Sequence, residues 1–244
     1  MRYLFKLEGS KWIITNVKDS VVAEFEFLLQ PIIHPRSKDI YAFELITIIN
    51  YNIGENHSER DFFDLANDEI LENLIYHQIL FSEINVTNKN TKILIKFPCC
   101  YLINFDVNKI ITKRLNNKYI IELDNVEVPS DDCNIFDILN KYKSHGIGFC
   151  LSYSDFDNYS NYSLLSSFSW DCVKLSKEFL YFIGNEIKFS PFIGVLREYC
   201  SNIILDGVET RFQRDYSIYN NTLVRGYFYS PPLKVSEVNE FISR

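Results

Sequence analysis

The feature that most constrains this chain is a repeated pairing. A short apolar run ends on or beside a charged residue, a polar or helical stretch follows, and the pattern starts again. The runs are EFLLQPII (26–33), IYAFELITII (40–49), KILIKF (92–97), KYIIEL (118–123), GIGFCLS (146–152), WDCVKLS (170–176), SNIILDG (201–207) and TLV (222–224). Their length and continuous apolarity read as strands buried on both faces. HPRSKD reads as a turn between the first two, and YNIGENHSERD (51–61) as a loop. ILENLIYHQILFSEI (70–84) places Ile70, Leu71, Leu74, Ile75 and Phe81 at helical spacing. Asp131-Asp132 offer an N-cap to a helix running to about His145, with Gly146 as its stop. VSEVNEFIS (235–243) reads as a closing helix. Apolar strands alternating with helices imply parallel pairing through right-handed crossovers. Seven or eight such units in 244 residues fit an α/β fold of the (β/α)8 barrel type better than an open sheet. No linker, repeat or low-complexity segment divides the chain, so residues 1–244 are expected to form one domain.

In such a barrel the strand ends converge on the C-terminal face, where active sites lie. Glu44, Lys96, Glu122, Lys174, Asp206, Glu209 and Arg225 lie at or just past those ends. Carboxylates gathered from separate strands suit a divalent metal, and a metal pair can clamp a phosphodiester displacement. Taken singly, each of these residues is equally well a solvated charge on a loop.

Other chemistry is poorly supported. The net charge of −7 argues against a general nucleic-acid surface, although a local basic patch is compatible with it. Cysteines stand at 99, 100, 133, 150, 172 and 200 without a CxxC, and His34, His57, His77 and His145 stand alone, which argues against zinc. Cys150, Cys172 and Cys200 lie in apolar runs and read as reduced core residues. No signal-peptide pattern and no run of about 18 apolar residues is present, so a cytoplasmic location is expected. Tyr181 and Phe182 are candidates for an outer aromatic patch, with core packing the more common fate of such residues.

The motifs then resemble a family. QPIIHPRSKDIYAFELI (30–46) resembles the opening of EAL domains, the bacterial cyclic-di-GMP phosphodiesterases, with Glu44-Leu45-Ile46 as the triplet. YIIELD, VKLS, LDGVET and VRGYFYSPPL resemble later motifs of that family in the same order, from about residue 26 to the C-terminus. GVET together with RGY and PPL is the specific part of the signal; residues 1–25 are a lead-in strand or helix without a counterpart. The resemblance implies a TIM-like barrel with one antiparallel strand.

Carried over position by position, the resemblance retains Glu44, a metal ligand, together with Glu122, Lys174 and Glu209. The phosphate-gripping Arg falls at Ile48, a ligand Asn at Lys96, and a bracing Glu at Asn125. In SYSDFD (152–157) the paired Asp fall at Ser154 and Asp155, within a register ambiguous by a residue or two, and Asp157 stands where the family has Gly. The Asp that follows the Lys is Ser176, the first Glu of the Glu-Gly-Val-Glu motif is Asp206, and the Gln that orients the nucleophile is Arg225. A lysine beside a metal position repels a cation and can pair with Glu44 or Glu122, and Arg225 can do the same, for instance with Glu209. These losses lead to three expectations: no metal and no cofactor, a salt-bridged former site, and no enzyme activity. By analogy with stand-alone degenerate members of enteric bacteria, the expected function is regulation through a protein partner, such as a transcription regulator of motility or virulence, with no direct nucleic acid and no membrane. The alternative is a cyclic-di-GMP receptor or a weak phosphodiesterase.

Overall fold

Strands β3 to β10 close on themselves and account for the alternation seen in the sequence. The computed structural model describes residues 4–8, 11–15, 21–51, 68–86, 88, 90–98, 102, 118–124, 135–153, 164–181 and 186–242. The strands are β1 (Leu4–Glu8), β2 (Lys11–Thr15), β3 (Val21–Ile33), β4 (Ile40–Tyr51), β5 (Lys92–Pro98), β6 (Tyr119–Asp124), β7 (Gly148–Tyr153), β8 (Cys172–Leu175), β9 (Ile203–Leu205) and β10 (Leu223–Val224). The helices are α1 (Asp68–Asn85), α2 (Ile135–Lys143), α3 (Lys177–Tyr181), α4 (Glu186–Tyr199), α5 (Arg211–Tyr219) and α6 (Val235–Ile242). The sheet order is β1-β2-β3-β10-β9-β8-β7-β6-β5-β4, and a β3–β4 pairing closes it. Neighbours from β5 to β10 pair in parallel, whereas β10 meets β3 antiparallel at Val224–Ile33. The molecule is thus a TIM-like α/β barrel with one reversed strand, as expected.

The chain forms two compact units, residues 1–29, 45–87 and 233–244 in one, and residues 30–44 and 88–232 in the other. In the first unit β1 and β2 form a hairpin with Leu4 opposite Thr15, and β2 continues onto β3. The lead-in segment therefore contains two strands, and β3 begins at Val21. In α1, Ile70, Leu71, Leu74, Ile75, Gln78, Ile79 and Ser82 make one buried stripe. That 3.6-residue period is the one visible in the sequence. Gln78 is a polar member of the stripe and donates to Thr47 Oγ1 at 2.8 Å, while Phe27 packs on Phe81 at 5.4 Å.

The second unit holds the barrel's apolar interior layer: Ile32, Ala42, Leu94, Ile120, Cys150, Cys172, Ile204 and Leu223, one from each of eight strands. The expected turn after Ile33 is closed by His34 N–H to Asp39 O (2.9 Å) and Lys38 N–H to His34 O (2.8 Å). Gly146 stops α2 as expected: it has φ 86°, and its N–H donates to Lys143 O at 2.9 Å. The proposed cap at Asp131-Asp132 lies outside the described residues, as do Cys99, Cys100, Cys133, His57, Asn125, Ser154, Asp155, Asp157 and Phe182. Cys150, Cys172 and Cys200 are buried free thiols. No helix among the described residues is long and apolar enough to cross a membrane.

Candidate functional site

The site follows from the two-residue period of a strand. Adding two residues to the apolar layer returns each strand to the same face, one step nearer its C-terminal end. Ala42 leads to Glu44, Leu94 to Lys96, Ile120 to Glu122, Cys150 to Ser152, Cys172 to Lys174, Ile204 to Asp206 and Leu223 to Arg225. On the reversed strand the step runs backwards, from Ile32 to Gln30, which is buried and donates to Ser230 O at 2.9 Å. Register agrees, with Lys96 beside Glu122 and Ser152 beside Lys174. An apolar layer is thus topped by a polar one holding three carboxylates and three cations.

Lys174 is the centre of this layer. It is 5 % exposed, between Glu44 at 7 % and Glu122 at 1 %. Its Nζ lies 3.1 Å from both oxygens of Glu44 and 2.5 Å from Glu122 Oε2. Burial lowers the affinity of this ammonium for its proton, but Glu122 and Glu44 outweigh burial and hold it above the ordinary lysine value.

Arg225 is the second cation. Its Nε and Nη2 grip Asp206 Oδ1 and Oδ2 at 2.7 and 2.6 Å, and Nη1 lies 2.6 Å from Glu44 Oε1. Such a two-pronged carboxylate contact is the geometry a guanidinium favours. Burial raises the Asp206 carboxyl, but Arg225 more than offsets that and leaves it below the usual carboxylate range.

Backbone contacts fix both residues. Asp206 N–H donates to Leu175 O, Arg225 N–H to Leu205 O, and Val208 N–H to Arg225 O, each at 3.0 Å. The glycines that follow them are sterically required. A Cβ on Gly207, at φ 77°, would lie 2.6 Å from Lys177 Cβ, and one on Gly226 would lie 2.2 Å from Val208 O. The Asp-Gly and Arg-Gly pairs therefore each aim a charge and let the next residue press against the backbone or a side chain.

Several expectations need correction. Glu209 is exposed beyond the Gly207 turn, with its N–H on Gln213 Oε1 at 2.7 Å, so Arg225 pairs with Glu44 and Asp206 and not with Glu209. Lys174 contacts both Glu44 and Glu122, and Lys96 is exposed on β5 beside Glu122. Ser176 is half-buried just after β8, and Ile48 is 41 % exposed on β4. Gln30 was not singled out, although its place in the QPI motif marks it.

A divalent ion does not fit the layer in this arrangement. It requires several oxygen ligands, yet five of the six carboxylate oxygens contact Lys174 or Arg225. Among the described residues no group of three His, Cys, Asp or Glu is placed to hold a metal.

Known proteins agree on the fold. The EAL domain model matches residues 17–232. A crystal structure of an EAL domain protein from Listeria monocytogenes EGD-e superposes with TM-score 0.72 and 19 % identity, covering 90 % of this chain and 92 % of that one. The PaMucR phosphodiesterase in complex with c-di-GMP gives TM-score 0.69 at 14 % identity, covering 88 % and 94 %. A standalone versatile EAL protein from Vibrio cholerae O395, in its c-di-GMP-bound form, gives TM-score 0.64 at 19 % identity, covering 86 % and 93 %. Among curated proteins none matches the chain. The expectation that this chain is no enzyme is overturned, because the matched family is one of cyclic-di-GMP phosphodiesterases and a similar fold is itself described as a phosphodiesterase. A family model that spans most of the sequence, on a barrel these structures share, makes this chain a member of the EAL domain family.

Proposed function

We propose that the chain binds cyclic di-GMP at the C-terminal mouth of its barrel and hydrolyses it slowly to linear pGpG. The observation that carries this reading is the buried charged layer, in which Lys174 joins Glu44 and Glu122, the residues that the motif resemblance aligns with the family's site. The ligand is a cyclic dianion, and Lys174 and Arg225 bring positive charge to its phosphodiesters in a site of low dielectric, where such contacts are strongest. Arg225 is suited to a two-pronged phosphate contact, in the place of the arginine whose position is taken by Ile48. Tyr227, 66 % exposed just beyond Arg225, offers a flat apolar face to a guanine.

In the reaction a water oxygen bonds to phosphorus, the bond from phosphorus to a ribose 3′ oxygen breaks, and the proton lost by water ends on that oxygen. Glu122, anchored through Oε2 on Lys174, is the carboxylate placed to carry the proton. Low turnover is expected from Ile48 and Lys96, which the motif resemblance sets where a phosphate clamp and an oxygen ligand would stand. The test is chromatographic analysis of cyclic di-GMP incubated with the protein. Slow formation of pGpG that Glu122→Gln abolishes supports the reading, and no product above the variant's background over many hours rejects it.

A further inference from the structure

The polar layer at the barrel mouth is neutralised from within the chain. Glu44, Glu122 and Asp206 bring three negative charges, and Lys96, Lys174 and Arg225 lie in the same strand layer with three positive ones. Arg225 joins Asp206 and Glu44, holding Asp206 by two nitrogens and Glu44 by the third. A cation bridging Glu44 and Asp206 needs the oxygens that the guanidinium occupies. The backbone of Arg225 has no room to retreat. It is held by Leu205 and Val208, and Gly226 is pressed so closely on Val208 that a single added methyl would overlap its backbone.

We infer that Arg225 is a built-in counter-ion that competes with divalent cations for Glu44 and Asp206. This inference does not depend on the identity of the nucleotide. It concerns which positive charge the carboxylates hold, and it makes the resting site a salt-bridged one that a cation enters only by breaking three charge-assisted contacts. Breaking them exposes a desolvated guanidinium beside the incoming cation, so the two positive charges exclude one another.

Calorimetric titration with Mn²⁺, in the absence of nucleotide, tests the competition. Arg225→Gln keeps a shorter polar side chain without the charge, and Arg225→Met keeps much of the volume. Either variant, once shown to be folded by circular dichroism, is expected to bind Mn²⁺ at least tenfold more tightly than the wild type and to gain thermal stability on its addition. Folded variants with the wild-type affinity overturn the inference. The wild type supplies a reading that needs no variant. Substoichiometric Mn²⁺ is expected to leave the backbone amide resonances of residues 205–208 sharp, and selective broadening there would show a cation already lodged beside Arg225 and would overturn it.

Discussion

Replacing Lys174 by Met is the most informative perturbation of the site. The change keeps the length of the side chain and removes its charge. Lys174 is 5 % exposed, and its ammonium is the shared partner of Glu44 and Glu122, themselves 7 % and 1 % exposed. Without it, Glu122 loses its contact at 2.5 Å and Glu44 loses two at 3.1 Å, keeping Arg225. Removing one partner of a buried ion pair costs about 3–5 kcal/mol, because the remaining charge stays desolvated. In a domain of this size each kcal/mol lowers the melting temperature by about 2–4 °C. The variant is therefore expected to melt roughly 6–20 °C below the wild type at neutral pH. The deficit also has a pH signature. Burial already pushes the Glu44 carboxyl above its ordinary value, and once Lys174 is gone protonating it relieves unpaired charge, so the gap to the wild type should narrow as the pH falls through the carboxylate range. Urea denaturation across that range measures both effects. A loss below about 1 kcal/mol at neutral pH, the size of an exposed ion pair, or a gap independent of pH, would refute the claim that Lys174 holds two buried carboxylates.

Three further outcomes follow from individual contacts. Asp206→Asn should flatten the acid limb of the stability profile. Because the native carboxyl titrates below its unfolded value of 3.8, the stability it contributes is complete above that value and is lost as pH falls through the lower native one; an unchanged limb counts against the Arg225 pairing. Gly226→Ala, which sets a methyl 2.2 Å from Val208 O, should lower thermal stability well beyond an ordinary surface change, and a melting temperature within a degree of wild type contradicts the close packing. Ile79→Ala, at a fully buried position on α1, should cost about 2–5 kcal/mol in denaturant unfolding, and a cost under about 1 kcal/mol would remove α1 from the core of its unit.

The barrel was legible because burial on both faces leaves continuous apolar runs, and because the two-residue period sets each charged residue at a defined height above an apolar one. Glu44, Glu122, Lys174 and Asp206 could therefore be assigned to one face. Their partners could not. Glu44 and Arg225 are 181 residues apart in the chain and meet only because β10 and β4 flank the reversed strand β3. Glu209 read as a site residue because it lies just past a strand end and within the GVET motif, but a left-handed glycine and the capping box of Thr210 and Gln213 leave it exposed at the head of α5. The β1–β2 hairpin left a weak signal because β1 is largely exposed and lacks the apolar run of a barrel strand.

The proposed ligand can be tested directly by calorimetric titration of the wild-type protein with cyclic di-GMP. A dissociation constant in the micromolar range or tighter, weakened at least tenfold by Arg225→Met, is the predicted result; heats no different from dilution at millimolar ligand would contradict it.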